Sequence, residues 1–345
     1  MAIPVKNIYY LLCYAWDKLE EGDIIKLSND DYTDSINLFT RVLINGCNRL
    51  FKLGLSRNYK EHNDEYLGVK GKIDFTESLK KNLFRQGKSY CQFDEFDIDI
   101  LPNQILKATF KKLLAIDSID KDLRADLIST YRKLHFVTDI KIKSSIFHSV
   151  VIHRNNSFYD FLVKICKLIF ENTVLDETEG KYKFRDFIRS DKAMANLFEN
   201  FIRNFYKKKQ GDYSVRREDI LWDAKAISNT DMSFLPKMQT DISLEGKGKK
   251  IIIETKYYVD ALSSRFESEK FISSNMYQIY SYLRNLENKD NNSLNLSCEG
   301  ILLYPTVGYS LNQQYQLGTH LLKIKTVNLQ NEWRKIEDEL LSLWD

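Results

Sequence analysis

The chain is short of the residues that break or staple a fold. Among 345 residues there are 4 Pro and 13 Gly, against 20 Tyr and 20 Phe. This excludes a low-complexity or disordered chain and indicates packed cores. The five cysteines, Cys13, Cys47, Cys91, Cys166 and Cys298, form no CxxC pair, so neither a disulfide framework nor a zinc knuckle is expected. The five histidines form no HxxxH or HExxH pattern, and buried thiols and structural histidines are the simpler reading. Charge of one sign is also lacking. The net charge is +3 with 29% charged residues, so any nucleic-acid footprint must be local rather than global. The longest apolar run near the start, Ile8 to Trp16, is too short to span a bilayer, and no signal-peptide cleavage pattern follows it. The expectation is a cytoplasmic protein with no membrane role.

What remains is hydrophobic periodicity. Residues 7–19 read as a helix, and "DYTDSINLFTRVLINGCNRLFKLGL" gives another, with Ile36, Phe39, Val42, Leu43, Leu50 and Leu53 at helical spacing. The stretch 56–75 is polar and broken, then becomes strand-like at "YLGVKGKIDF", where Val69, Ile73 and Phe75 alternate, and "SYCQFDEFDIDI" is a strand entering an acidic loop. Helices are expected over "NQILKATFKKLLAI", much of 119–134 and the run from Phe158. Between them, 139–157 reads as β-rich, and a domain boundary falls at 140–155. In the second half a helix covers 191–208 and a strand 220–227. A strand pair follows at "TDISL" and "IIIETKYY", then a helix over 275–287 capped by Ser273 or Ser274, and a strand over 300–305.

The strand pair carries the chemistry. With Lys247 and Gly248 at the centre of a two-residue turn, Leu244 faces Ile251, Ile242 faces Ile253 and Asp241 faces Glu254. Side-chain alternation then puts Ile242, Leu244, Ile251 and Ile253 on one face and Asp241, Ser243, Ile252, Glu254 and Lys256 on the other. A one-residue slip would scatter the isoleucines, which favours this register. Two carboxylates facing each other repel unless a cation lies between them. Oxygen ligation suits Mg²⁺ or Mn²⁺, and such an ion serves phosphoryl chemistry. Lys256 is placed to stabilise developing negative charge. A solvated hairpin of mixed charges fits the same spacing. Glu199, beside the apolar positions Phe198, Phe201, Ile202 and Phe205 of its helix, is a candidate third acidic ligand or an ordinary surface carboxylate. Gln278 and Tyr282, four apart, share a helix face and are candidate accessory groups. Lys207, Lys208, Lys209, Arg216 and Arg217 are candidate DNA-phosphate contacts, or charges that merely suit a helix C-terminus.

In order along the chain, the Glu199 helix, "QTDISL" with Asp241, "IIIETKYY" with Glu254 and Lys256, and "QIYSY" resemble a PD-(D/E)xK nuclease core. Thr240, not Pro, precedes Asp241, and Pro236 lies five residues earlier. The wider segments "IPVKNIYYLLCYAW", "VKGKIDF", "CQFDEFDIDILPNQILKATFKKLL" and "LPKMQTDISL…IIIETKYY" resemble the McrC family over nearly the whole chain, with Glu254 standing where many relatives carry Asp. McrC is the endonuclease subunit of the McrBC modification-dependent restriction system, which acts on DNA carrying 5-methylcytosine.

The resemblance implies a mixed α/β fold, α+β or α/β in class. A partner-docking domain would cover residues 1–150 and a PD-(D/E)xK restriction-endonuclease-like domain 151–345, with a central mixed sheet flanked by helices. It further implies Mg²⁺-dependent cleavage of double-stranded methylated DNA by Asp241, Glu254 and Lys256. The partner implied is a McrB-like AAA+ GTPase hexamer, whose GTP hydrolysis this chain would stimulate. GTP would be bound by that partner and not by this chain, which has no GxxxxGK[ST] motif. Residues 56–72 are the candidate pore-inserting loop. A non-catalytic activator of the ring, or a stand-alone repair nuclease of the same fold, are the alternative readings.

Overall fold

In a computed structural model, the described residues are 3–25, 34–152, 156–176, 181–228, 230–257, 271–287, 289, 292–306 and 310–344. The chain divides into two compact units, Ile25–Arg185 and a second made of Met1–Ile24 with Asp186–Asp345. The break thus falls at 185/186 rather than near 150, and the first helices group with the C-terminal part. The reason lies in α1 (Val5–Ala15). Its face of Ile8, Leu11, Leu12 and Tyr14 is buried, and the Tyr14 ring meets Phe201 and Phe205. Those two rings belong to a helix almost 190 positions later. Asn204 of that helix donates to the carbonyls of Tyr14 and Ala15, satisfying acceptors left open at the end of α1. A short α2 (Leu19–Ile24) follows.

The unit Ile25–Arg185 is built on α3 (Ser35–Leu53), whose first turn is capped by the Asp34 carboxylate accepting from Asn37 N. Next come β1 (Asn58–Leu67), β2 (Lys72–Ile73), α4 (Phe75–Lys80) and β3 (Lys88–Asp97), in a three-stranded sheet of order β1-β3-β2. The segment 56–72 is therefore not a loop: ten of its residues pair antiparallel with β3. Its side chains are nearly all exposed, so no alternation betrays the strand. Helices α5 (Leu101–Leu114), α6 (Lys121–Lys133), α7 (Ile146–Ser149) and α8 (Ser157–Glu171) complete most of the unit. The expected β character of 139–157 is absent among its described residues, whose regular structure is the single turn of α7 and the start of α8. Gly46 lets α3 approach α8, since a Cβ there would lie 2.5 Å from Leu162 Cδ2. A short hairpin, β4 (Thr173–Asp176) and β5 (Lys181–Phe184), ends the unit.

The other unit centres on α9 (Asp191–Lys209), capped by Ser190, and a six-stranded sheet. Its elements in order are β6 (Ser214–Arg216), β7 (Asp219–Ile220), β8 (Met238–Gln239), β9 (Ile242–Gly246), β10 (Lys249–Thr255), α10 (Ser273–Leu286), α11 (Ser293–Leu296), β11 (Glu299–Thr306), β12 (Asn312–Leu317), β13 (His320–Asn328) and α12 (Trp333–Leu341). Strand order is β12-β13-β11-β10-β9-β6, while β7 and β8 pair separately. The three central strands β10, β11 and β13 run parallel, and such strands are normally covered on both faces. Here α10 lays Ile279, Leu283 and Leu286 on Ile252, Leu302 and Ile324. Gly300 permits this, because a Cβ there would sit 2.9 Å from Leu283 Cδ1. On the opposite face Tyr257, in phase with Ile251 and Ile253, meets Phe198 of α9. The strand expected over 220–227 shrinks to β7, and Ile272 rather than a serine precedes α10, with no side-chain cap.

Candidate functional site

The hairpin of β9 and β10 has the register expected from the isoleucines, with Leu244 opposite Ile251 and Ile242 opposite Ile253. Lys247 and Gly248 form its turn at φ of 50° and 71°, the left-handed pair that a two-residue hairpin with right-handed strand twist requires. The ladder ends one pair short of Asp241 and Glu254. There the Asp241 side chain takes over: its Oδ2 accepts from both Thr255 N and Thr255 Oγ1, each at 2.8 Å. A backbone amide left open where pairing stops thus fixes the carboxylate beside Glu254. Lys256 is fixed in turn by its own N–H, which donates to Leu303 O of β11 at 3.0 Å.

Four side chains lock together at this end of β10. Lys256 Nζ donates to Glu254 Oε1 at 3.0 Å and to Gln278 Oε1 at 2.8 Å. Gln278 Nε2 donates to Glu254 Oε1 at 2.8 Å and to the Tyr282 hydroxyl at 2.9 Å. Tyr282 passes the chain on to Gln239 O of β8 at 3.2 Å. Gln278 and Tyr282, expected only to share a helix face, are joined through this network to both charged residues.

The face holding Glu254 is not the open surface that strand alternation alone suggests. Glu254 is 2% exposed and Ser243 is fully buried, because α10 covers that side of the sheet. Burial, with the Asp241 charge adding to it and Lys256 opposing, raises the Glu254 carboxyl from its ordinary 4.5 to about 7. One of its oxygens, Oε2, is buried and has no hydrogen-bonding partner among the described residues.

The remaining candidates are placed differently. Glu199 forms ion pairs with Arg203, at 2.8 Å, and with Arg217. Arg203 also donates to the Asp241 carbonyl at 3.5 Å. Glu199 thus lies near the strand of Asp241 but is engaged by two guanidinium groups, and among the described residues no three His, Cys, Asp or Glu side chains converge on one point. The basic cluster is largely neutralised within the unit: Lys208 pairs with Asp17, Lys209 with Glu337 and Arg216 with Glu245. Lys207 is exposed. Sequence reasoning passed over Thr255, which stands inside the motif as a hydroxyl on an apolar strand. It passed over Arg203, four residues after Glu199, and Glu218, hidden in the basic run "VRRED". Among the described residues no helix is long and apolar enough to cross a membrane.

Comparison with known proteins shows the family. Residues 6–305 match the family model of the McrBC 5-methylcytosine restriction system component. The chain is 32% identical over 343 residues to the type IV methyl-directed restriction enzyme EcoKMcrBC of Escherichia coli strain K12, covering 99% of this chain and 97% of that one. The fold is similar to a chain in the assembly of Thermococcus gammatolerans McrB AAA+ hexamers with bound McrC. That similarity has a TM-score of 0.65 and 14% identity, covering 98% of this chain and 74% of the other.

Proposed function

The chain belongs to the McrBC 5-methylcytosine restriction family, and on that premise we propose that it is the DNA-cutting subunit of such a system. In this reading it hydrolyses phosphodiester bonds of methylated double-stranded DNA through a PD-(D/E)xK centre. It works only when assembled with a McrB-like AAA+ ring, which binds GTP and whose hydrolysis it stimulates. The unit Ile25–Arg185 is then the candidate for docking to the ring.

The observation that carries the reading is the Glu254 carboxylate. Oε1 is taken by Lys256 and Gln278, while Oε2 is buried with no partner among the described residues, and the Asp241 charge acts on the same carboxyl. A buried carboxylate oxygen left unsatisfied is costly, and here it adjoins a second carboxylate that raises its pKa. A hard divalent cation, Mg²⁺ or Mn²⁺, would remove both costs, so the residues fit the group. Asp241 and Glu254 would hold it, with water and phosphate oxygens completing the shell. When bound, it would supply Lewis-acid polarisation of a phosphoryl oxygen and a more acidic water. Glu199 would join only if its pairs with Arg203 and Arg217 opened.

The protein's own groups have separable tasks. Lys256 carries three N–H donors, of which Glu254 and Gln278 engage two. The third is available to a phosphate oxygen as negative charge grows. Gln278 bridges the ammonium and the Glu254 carboxylate by one hydrogen bond to each, and Tyr282 ties Gln278 to β8. Thr255 keeps Asp241 from swinging away. With this set intact, cleavage by the complex is expected to require Mg²⁺ or Mn²⁺. It should fall at least about 10³-fold in Asp241→Ala and Lys256→Ala, measured as nicking of methylated plasmid with the ring partner and GTP. Undiminished cleavage by either variant would remove the assignment. Stimulated GTP hydrolysis by the native chain without nicking at any Mg²⁺ concentration would make it an activator only.

A further inference from the structure

Behind the proposed cation site lies a second buried ionic cluster. Glu218, between β6 and β7, is buried together with Lys250 of β10. Lys250 Nζ donates to Glu218 Oε1 at 2.9 Å and to Asn295 Oδ1 at 2.9 Å. Lys289 Nζ reaches the same Glu218 oxygen at 3.0 Å. The other oxygen, Oε2, accepts from Ser243 Oγ at 2.8 Å. The Glu218 main chain is engaged as well: its N–H donates to Thr240 Oγ1 at 3.0 Å, and its carbonyl accepts from Thr240 N at 2.9 Å.

These contacts bracket Asp241. Thr240 precedes it and Ser243 follows two positions later. Asp241 itself lies outside the β9–β10 ladder, which begins at Ile242 and Ile253. The turn that presents its carboxylate is therefore held from one side by Thr255 and from the other by Glu218. Along β10 the residues Lys250, Ile252 and Glu254 share a face, so the cluster and the candidate site are two ends of one buried row.

We infer that Glu218 is a positioning residue for the cation site, holding the backbone on both sides of Asp241 so that its carboxylate stays aimed beside Glu254. The inference rests on the proposed function, since it concerns how tightly that site holds a divalent ion. Burial alone would push the Glu218 carboxyl up, but hydrogen bonds from Lys250, Lys289 and Ser243 outweigh it and hold the carboxyl below its ordinary value, so the group acts as a fixed anion. Outer partners of metal ligands characteristically set affinity by about 10- to 100-fold, without touching the metal themselves.

The test uses the full chain and Mn²⁺ as probe. In calorimetric titration, Glu218→Gln is expected to weaken Mn²⁺ binding about 10-fold. In the assembled complex, its cleavage should show lowered kcat at limiting Mn²⁺, unchanged KM for DNA, and recovery when Mn²⁺ is raised. A merely structural role would not give metal rescue. A folded Glu218→Gln protein whose Mn²⁺ affinity is within threefold of the native chain overturns the inference. If that variant does not fold, Thr240→Val decides by the same threshold, because it removes the Oγ1 acceptor while leaving the ionic cluster intact. A native chain that binds no Mn²⁺ and does not cut refutes the proposed function itself and this inference with it. A native chain that binds and cuts while neither variant loses affinity refutes only the positioning role.

Discussion

In the metal-free chain Glu254 ionises against burial and against Asp241, and its carboxyl rises from 4.5 to about 7. In the unfolded chain it would titrate near its ordinary value. Below about pH 4.5 the group is protonated in both states, and it costs nothing. Between there and about 7 the folded state keeps a proton that the unfolded state has released, so stability falls as pH rises. Above about 7 both states are ionised, and the full cost is present. At 1.36 kcal/mol per pH unit, the rise amounts to about 3 kcal/mol. Glu254→Gln cannot ionise, so its stability relative to the native chain should grow by about 3 kcal/mol from pH 4.5 to pH 8. For a unit of this size that is about 6–12 °C in Tm. The new amide would put a donor where Oε2 has no partner among the described residues, a cost of about 1–3 kcal/mol, but that cost does not vary with pH and drops out of the trend. The assay is urea unfolding in EDTA at four pH values on both proteins. Added Mg²⁺ should then stabilise the native chain at pH 8 and leave Glu254→Gln nearly unmoved. A stability difference that stays flat within about 1 kcal/mol across this range would refute the claim that Glu254 is a strained, buried anion waiting for a cation.

Gly300→Ala should lower stability by about 1–3 kcal/mol in denaturant unfolding, since its Cβ would meet Leu283 and Ile279. It should also reduce cleavage, because the displaced helix carries Gln278 and Tyr282. Lys247→Asn is expected to stabilise the chain by about 0.5–1 kcal/mol by thermal unfolding. Asn tolerates the left-handed backbone of the hairpin turn better than Lys, and the exposed pair lost with Asp212 contributes little. Lys250→Met should destabilise by about 3 kcal/mol, because Glu218 would stay buried with one of its two ammonium partners gone. Equal stability would mean that Lys289 alone suffices.

The hairpin was legible to the residue because two signals agreed there. A Lys-Gly turn fixes the register, and four aliphatic positions reject any slip. Helix α9 and strand β11 were legible from periodicity alone. The buried state of the Glu254 face was not, since alternation of polar and apolar residues reads the same whether the polar side meets water or a helix, and α10 lies some twenty residues downstream. Glu218 was illegible for a related reason: its partners Ser243, Lys250 and Lys289 stand 25 to 71 positions away, and its neighbours Arg216 and Arg217 suggest a solvated basic run. The division into units was missed because Tyr14 finds its partners at Phe201 and Phe205, a pairing no local pattern records. Strand β1 escaped because exposure of nearly every side chain leaves no period to read.

Strand β10 stands third from an edge, paired on both sides, with Ile251, Ile252 and Ile253 all shut away from solvent. Its amides should exchange with deuterium only through global opening. The carboxylate and the ammonium at its end therefore sit on a backbone paired on both sides and buried. Under the proposed function, a chain built this way has no easy means of dismantling and rebuilding its site between rounds. In that reading restraint comes from what is allowed to reach the strand's end, so timing becomes a matter of access and delivery.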